Sequence, residues 1–398
     1  MREKFQKLTS LLLKYQHLWK DSAFKDRDHS RFDAYPTLKK WLFSLPEAQL
    51  LQYQENNQIL LTSISPFFKD AATLLELIDF PISKQLSSRH QPKCWDNDIP
   101  GRKAKQILAF SQAIGEVNQS ILEWCCGKQH LGRYLSEVHQ HISDGLEIDT
   151  NLVLQGRQLA FKRKLEQQVN THTCDVLSKQ CDQFLQKDQH AIALHACGGL
   201  HVRLVEKATQ HQIKRITFSP CCYHRFNHVD HYQPLSKMAK DYPLLLNMDD
   251  LRLAVRETKT ASINETNKRR QLQAWRLGFD ELQREHSGIN NYLETPSLSP
   301  TILQADFKYF CLHLARLKNL KLNQLIDFDH YEARGLERLH YYERTELFRM
   351  AFRRPLEAWL VLDKALYFEE NGYKTTVSIF CSPDITPRNF FIDAYRIA

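Results

Sequence analysis

The chain has 398 residues, 42% of them hydrophobic and 25% charged, with a formal net charge of +8, the composition of a soluble globular protein of two or three domains. No run of about 18 apolar residues exists, which excludes a helical membrane protein, and the N-terminus scatters charges around Leu11, Leu12 and Leu13, which excludes a secretory signal and leaves an amphipathic helix and a cytoplasmic address. Ten cysteines spread along a chain without export signals are expected as free thiols, and the positive charge permits a polyanionic partner without requiring one.

Residues 1–90 contain no glycine, and their apolar residues fall in helical groups: Phe5, Leu8, Leu11 and Leu12, then Leu38, Trp41 and Leu42, then Leu74, Leu75, Leu77 and Ile78. This spacing predicts a helical N-terminal domain for packing or partner binding. Residues 87–101, polar and with two prolines, read as a linker. From Arg102 the pattern changes. A helix over 102–114 precedes short apolar runs at 120–124, 145–149, 168–176, 191–199 and 214–222, separated by segments of helical composition. Such alternation predicts an α/β core over 100–226, a parallel sheet wrapped by helices, with ligands at the carboxyl ends of its strands.

The strand signal then fades over 227–341, which reads as a mainly helical insertion divided by a loop at 294–301. Its basic cluster, Lys268, Arg269 and Arg270 with Arg252, Arg256, Lys259 and Arg276, is either a solvated helix face or a nucleic-acid surface. In 342–398, Pro355 opens a helix through Leu356, Trp359, Leu360 and Leu366, which Asn371 and Gly372 close. Runs at 375–380 and 389–396 then predict an antiparallel hairpin that completes the core sheet.

Four segments share one position in such a sheet: Glu123 to Gly127 after the first strand, Glu147 after the second, Asp175 after the third, and His195 to Gly199 after the fourth. A carboxylate after the second strand can accept hydrogen bonds from both hydroxyls of a ribose, and one after the third can hold the exocyclic amine of adenine. The sequences EWCCGK, GLEID, TCD, LHACGG and SPCCYH together resemble the class I S-adenosylmethionine-dependent methyltransferases. The likeness is to the branch that includes acceptor-stem tRNA 2′-O-methyltransferases and methyltransferase-like proteins of unsettled substrate.

That resemblance covers residues 100–226 and extends to the terminal hairpin. It implies a Rossmann-like seven-stranded sheet with a terminal antiparallel pair, S-adenosylmethionine as cofactor, and RNA, possibly tRNA, as substrate. Glu123, Cys125 and Gly127 would line the methionine end of the cofactor, Glu147 its ribose and Asp175 its adenine, while His195, Cys197 and Gly198 would edge the transferring methyl. The first motif departs from E-x-G-x-G-x-G, with Cys125 and Gln129 where glycines are expected. A Rossmann dinucleotide site is the rival, but G-x-G-x-x-G is absent.

The segment 219–226 after the fifth strand has several readings. His224 is a candidate general base and, with His195, the expected catalytic pair. Cys221 and Cys222 could be buried thiols, a nucleophile, or metal ligands, but adjacent cysteines lack the usual spacing of zinc sites and no metal is expected. Cys94, Cys181, Cys311 and Cys381 read as structural. Competing functions are a small-molecule or protein methyltransferase, and a non-catalytic RNA-binding scaffold on the same fold.

Overall fold

Seven strands form one sheet: β1 (Ile121–Trp124), β2 (Ser143–Glu147), β3 (Val169–Thr173), β4 (His190–Cys197), β5 (Arg215–Cys221), β6 (Tyr373–Ile379) and β7 (Phe390–Arg396). Their order is β3-β2-β1-β4-β5-β7-β6, with the first five parallel and β7 antiparallel to both its neighbours. The computed structural model describes residues 1–26, 30–84, 91–226, 230–256, 263–288, 290–296, 298–322 and 325–397. Residues 87–90 of the expected linker, Lys259 of the basic cluster and Ser297 of the expected loop lie outside the described residues.

Every residue of β1 and β5 is buried, as expected of parallel strands covered on both faces. The run expected at 145–149 starts two residues earlier as β2, and Ile148 beyond it is 65% exposed. Helices Gly101–Ile114, His130–His139, Thr150–Lys162 and Gly199–Gln210 join or precede the parallel strands. Ile107, Phe110, Leu131, Leu135, Phe380 and Phe391 belong to one core cluster against β1 and the hairpin. The hairpin is keyed by charge as well. Arg215 meets both carboxylate oxygens of Asp393 at 3.0 Å, and the Thr217 hydroxyl donates to Asp393 at 2.7 Å, which fixes β7 against β5.

The chain divides into two units, and their boundaries differ from those read in the sequence. The sheet unit comprises Met1–Leu13, Thr73–Arg256 and Arg353–Ala398. Its N-terminal helix is bound to the C-terminal one: the Phe5 ring stacks on Trp359 with centroids 5.2 Å apart, and Trp359 Nε1 donates to Thr9 Oγ1 at 2.9 Å. The helical unit comprises Lys14–Ala72 and Glu257–Phe352. The expected N-terminal domain and insertion thus share a core, in which Ala23 packs with Ala274, Leu277 and Leu339, while Phe32 and Phe68 meet Phe348, of the expected C-terminal segment, edge-on. The insertion also has a cluster of its own, around Trp275, Phe279, Phe310 and Leu314. The basic cluster is split: Arg252 and Arg256 belong to the sheet unit and Lys268, Arg269, Arg270 and Arg276 to the helical unit. Among the described residues no helix is long and apolar enough to cross a membrane.

Candidate active site

The turn after β1 takes its shape from backbone dihedrals. Cys125, Gly127 and Gln129 have φ of +55°, +58° and +53°, so alternate residues are left-handed although only one is glycine. A side chain in that region costs about 1–2 kcal/mol. For Gln129 the cost is offset by its contacts: it is buried, donates from Nε2 to the Ser143 carbonyl at 3.0 Å, and accepts at Oε1 from Thr171 Oγ1 at 2.7 Å. It thereby ties the turn to β2 and β3. Gly145 on β2 provides the space, since a Cβ there would lie 2.6 Å from Gln129 Cδ and 2.7 Å from Cys126 Sγ.

Three acids stand at the strand ends. Glu147, the last residue of β2, accepts from the Gly127 N–H at 2.9 Å and from the Asp149 N–H at 3.1 Å, one bond to each oxygen. Each oxygen keeps a further lone pair for a ligand hydroxyl. Asp175, two residues beyond β3, accepts from the Leu177 N–H at 2.9 Å through Oδ1. Glu123 differs. It is buried, and its Oε2 accepts from the Gly132 N–H at 2.8 Å at the start of the His130–His139 helix. Burial raises its pKa from 4.5 to about 7, against the lowering influence of the Gly132 N–H, Lys103 and Arg133. The carboxylate expected at the methionine end is therefore engaged by the helix behind the turn.

The ends of β4 and β5 form the other side of the rim. His195 has φ of +69° and lies where the β4–β5 register shifts between Leu194 and Cys197. Its Nε2 meets Gln106 Oε1 at 3.0 Å, so the ring donates there and Nδ1 keeps a lone pair. Burial, with Lys103 nearby, lowers its pKa to about 4, so the ring is neutral at neutral pH. Gly198 and Gly199 allow the segment after β5 to lie against them: an added Cβ would come within 1.9 Å of the Arg225 and Phe226 carbonyl oxygens respectively. The Gly199 N–H donates to the Arg225 carbonyl at 2.9 Å. Gly198, expected beside the transferring methyl, is thus packed on backbone.

His224 directly precedes Arg225 in that segment. Its Nδ1 is buried without a hydrogen-bond partner among the described residues. Burial lowers its pKa, opposed by Cys222 and reinforced by Arg252, Arg225 and Arg388, so it too is a neutral imidazole near pH 7. Cys197 Sγ lies 3.6 Å from Cys221 Sγ, and the sulfurs of Cys197, Cys221 and Cys222 are all within 4.8 Å of one another. Hydrogen bonds from Cys197 and Cys221 favour the thiolate of Cys222.

Residues that the sequence did not single out also shape this rim. Gln106, on the Gly101–Ile114 helix, orients His195. Arg388, in the β6–β7 connection, accepts through its carbonyl from Ser219 Oγ at 3.0 Å and bears electrostatically on His195, Cys222 and His224. Neither belongs to a motif; only their place beside strand ends distinguishes them. A separate cavity of about 700 Å³ lies along β3, against Phe161, Asn170 and His172, and shares no lining residue with the expected site.

Residues 102–229 match a family model described as a methyltransferase domain. No curated protein matches the chain. Solved structures similar to it include a geranyl diphosphate methyltransferase with GPP and sinefungin, at 10% identity and TM-score 0.27 over 29% of this chain and 44% of that one. An RNA methyltransferase from Salinibacter ruber with S-adenosyl-L-homocysteine aligns at 12% identity and TM-score 0.26, over 34% of this chain and 84% of that one. TrmK of M. capricolum with the same product aligns at 14% and 0.24, over 32% and 52%. In the first and third of these the match spans about half of the relative's length. Residues 102–229 thus match a methyltransferase-domain model, and they supply the five parallel strands of a Rossmann-like seven-stranded sheet.

Proposed function

We propose that the protein is a cytoplasmic S-adenosylmethionine-dependent methyltransferase acting on RNA, possibly tRNA. The observation that carries the donor half is the left-handed turn Cys125 to Gln129 with Gly127 tied to Glu147. An added Cβ at Gly127 meets nothing within 4 Å, so backbone is open to a ligand there. The residues fit an adenosyl donor: Glu147 keeps acceptor sites for ribose hydroxyls, Asp175 keeps Oδ2 for an adenine amine, and Cys125 and Gly127 border the turn. Bound there, the donor supplies an already activated methyl on a sulfonium.

The chain's own task is then to align the acceptor and remove its proton. His224, neutral and with Nδ1 lacking a partner among the described residues, is the group we assign as general base. His195, positioned by Gln106, borders the same strand ends with Cys197 and Gly198. The RNA half is supported by the net charge of +8 and by Lys268 and Arg269, which are exposed on the Ile263–Ser287 helix. Arg270 is less suited to it, because Glu343 holds its guanidinium at 2.6 Å.

The test is transfer of labelled methyl from S-adenosylmethionine into total RNA. Glu147→Ala is expected to abolish it by loss of donor affinity, and His224→Ala to slow turnover by about 10²-fold with donor affinity kept. Label entering only protein or small molecules would overturn the RNA reading. No donor binding at millimolar concentration would favour a scaffold.

A further inference from the structure

Two departures from regular strand geometry serve one end at the tips of β4 and β5. Adjacent residues of a strand point to opposite faces, so Cys221 and Cys222 on a straight strand would hold their sulfurs apart. Cys222 instead has φ of +46°, which turns the chain as β5 ends. On the neighbouring strand His195 has φ of +69°, and the register shift beside it leaves Cys197 paired with Cys221. The result is three sulfurs within 4.8 Å of one another, one pair at 3.6 Å. Left-handed residues with side chains are costly, and they persist where surrounding structure holds them for a purpose.

We infer that Cys197, Cys221 and Cys222 form a binding site for one thiophilic divalent ion, zinc above all, with the fourth position left open. Sulfurs on a tetrahedral zinc at about 2.3 Å from the metal stand about 3.8 Å apart, and the Cys197–Cys221 pair at 3.6 Å is near that spacing. Binding would release the protons of Cys197 and Cys221 to solvent, so that three thiolates on one divalent ion leave a single net negative charge, and Arg225 and Arg388 lie close enough to act on the sulfurs. The short spacing of Cys221 and Cys222 argued against a metal in the sequence because both ligands of a knuckle come from one loop. Here the third comes from another strand, and spacing ceases to be diagnostic.

The inference does not depend on the methyltransferase reading, because metal binding is measured without donor or acceptor. The full chain, reduced and stripped by chelator, would be titrated with cobalt(II) and zinc(II). One cobalt per chain with a thiolate-to-metal charge-transfer band is expected, displaced by zinc. Cys222→Ser or Cys197→Ser should weaken binding by about 100-fold or more, while Cys94→Ser, exposed and outside the cluster, should leave it unchanged. Should those variants fold poorly, X-ray absorption on the zinc-loaded natural chain gives an independent reading, with three sulfur neighbours at about 2.3 Å expected. Absence of a charge-transfer band from the reduced chain, fewer sulfur neighbours, or equal binding by Cys222→Ser would overturn the site.

Discussion

In the helical unit Arg338 reaches Asp280 at 2.7 Å and Glu281 at 2.9 Å, and Arg284 also binds Asp280 at 2.9 Å. In the sheet unit Glu123 is equally buried, yet what its Oε2 meets is a backbone N–H, at 2.8 Å. The first arrangement surrounds acids with guanidinium groups that match their charge; the second holds an acid by a backbone N–H, and burial raises its pKa to about 7. A buried acid therefore stays charged where guanidinium groups match it and is pushed toward its neutral form where they do not.

The most forceful way to break this contrast is Arg338→Ala. It removes a guanidinium shared by two buried acids, and a loss of about 3–5 kcal/mol is expected in denaturant unfolding. Donor affinity should be unchanged, so a loss below about 1 kcal/mol, or a weakened donor site, would undo the assignment of this network to architecture. Glu123→Gln sharpens the other side. As pH rises from about 4.5 to 7 the unfolded chain releases this proton while the folded chain keeps it, so folded stability falls over that window, by about 3 kcal/mol. The Glu123→Gln variant should lose that part of the slope in stability curves taken at several pH values; an unaltered slope would mean that Glu123 is ionised. The smallest effect concerns Gln129→Gly. Relief of the left-handed cost is outweighed by the lost bonds to Ser143 and Thr171, for a net loss of about 1 kcal/mol. A gain in melting temperature would instead identify the turn as strained.

β1 and β5 were legible because strands buried on both faces read as apolar runs bounded by turn residues, and β6 because its first residues alternate between buried and exposed. The turn after β1 was read for its missing glycines, yet Cys125 and Gln129 adopt the left-handed backbone regardless. What makes this possible at Gln129 is Gly145, 16 residues away in sequence and on another strand, a relation that no local pattern carries. The places of Glu147 and Asp175 at the ends of β2 and β3 could be read from their order along the chain, whereas the inward turn of Glu123 depends on its depth. Domain boundaries were the least legible feature. Phe32 and Phe348 share a core across more than 300 residues, and helical spacing reports which face of a segment is apolar without naming what covers it.

The position of β7 between β5 and β6 has a consequence for synthesis on the ribosome. β5 is complete about 170 residues before β7 begins, a delay on the order of 10–30 s at roughly 5–20 residues per second. Throughout that interval the nascent chain holds an unpaired β5 edge, with Arg215 and Thr217 waiting for Asp393, while the whole helical insertion is made. The sheet is closed from its interior by a strand translated after both its neighbours, so a chain stalled within the insertion presents a bare edge suited to capture by chaperones or by another nascent chain.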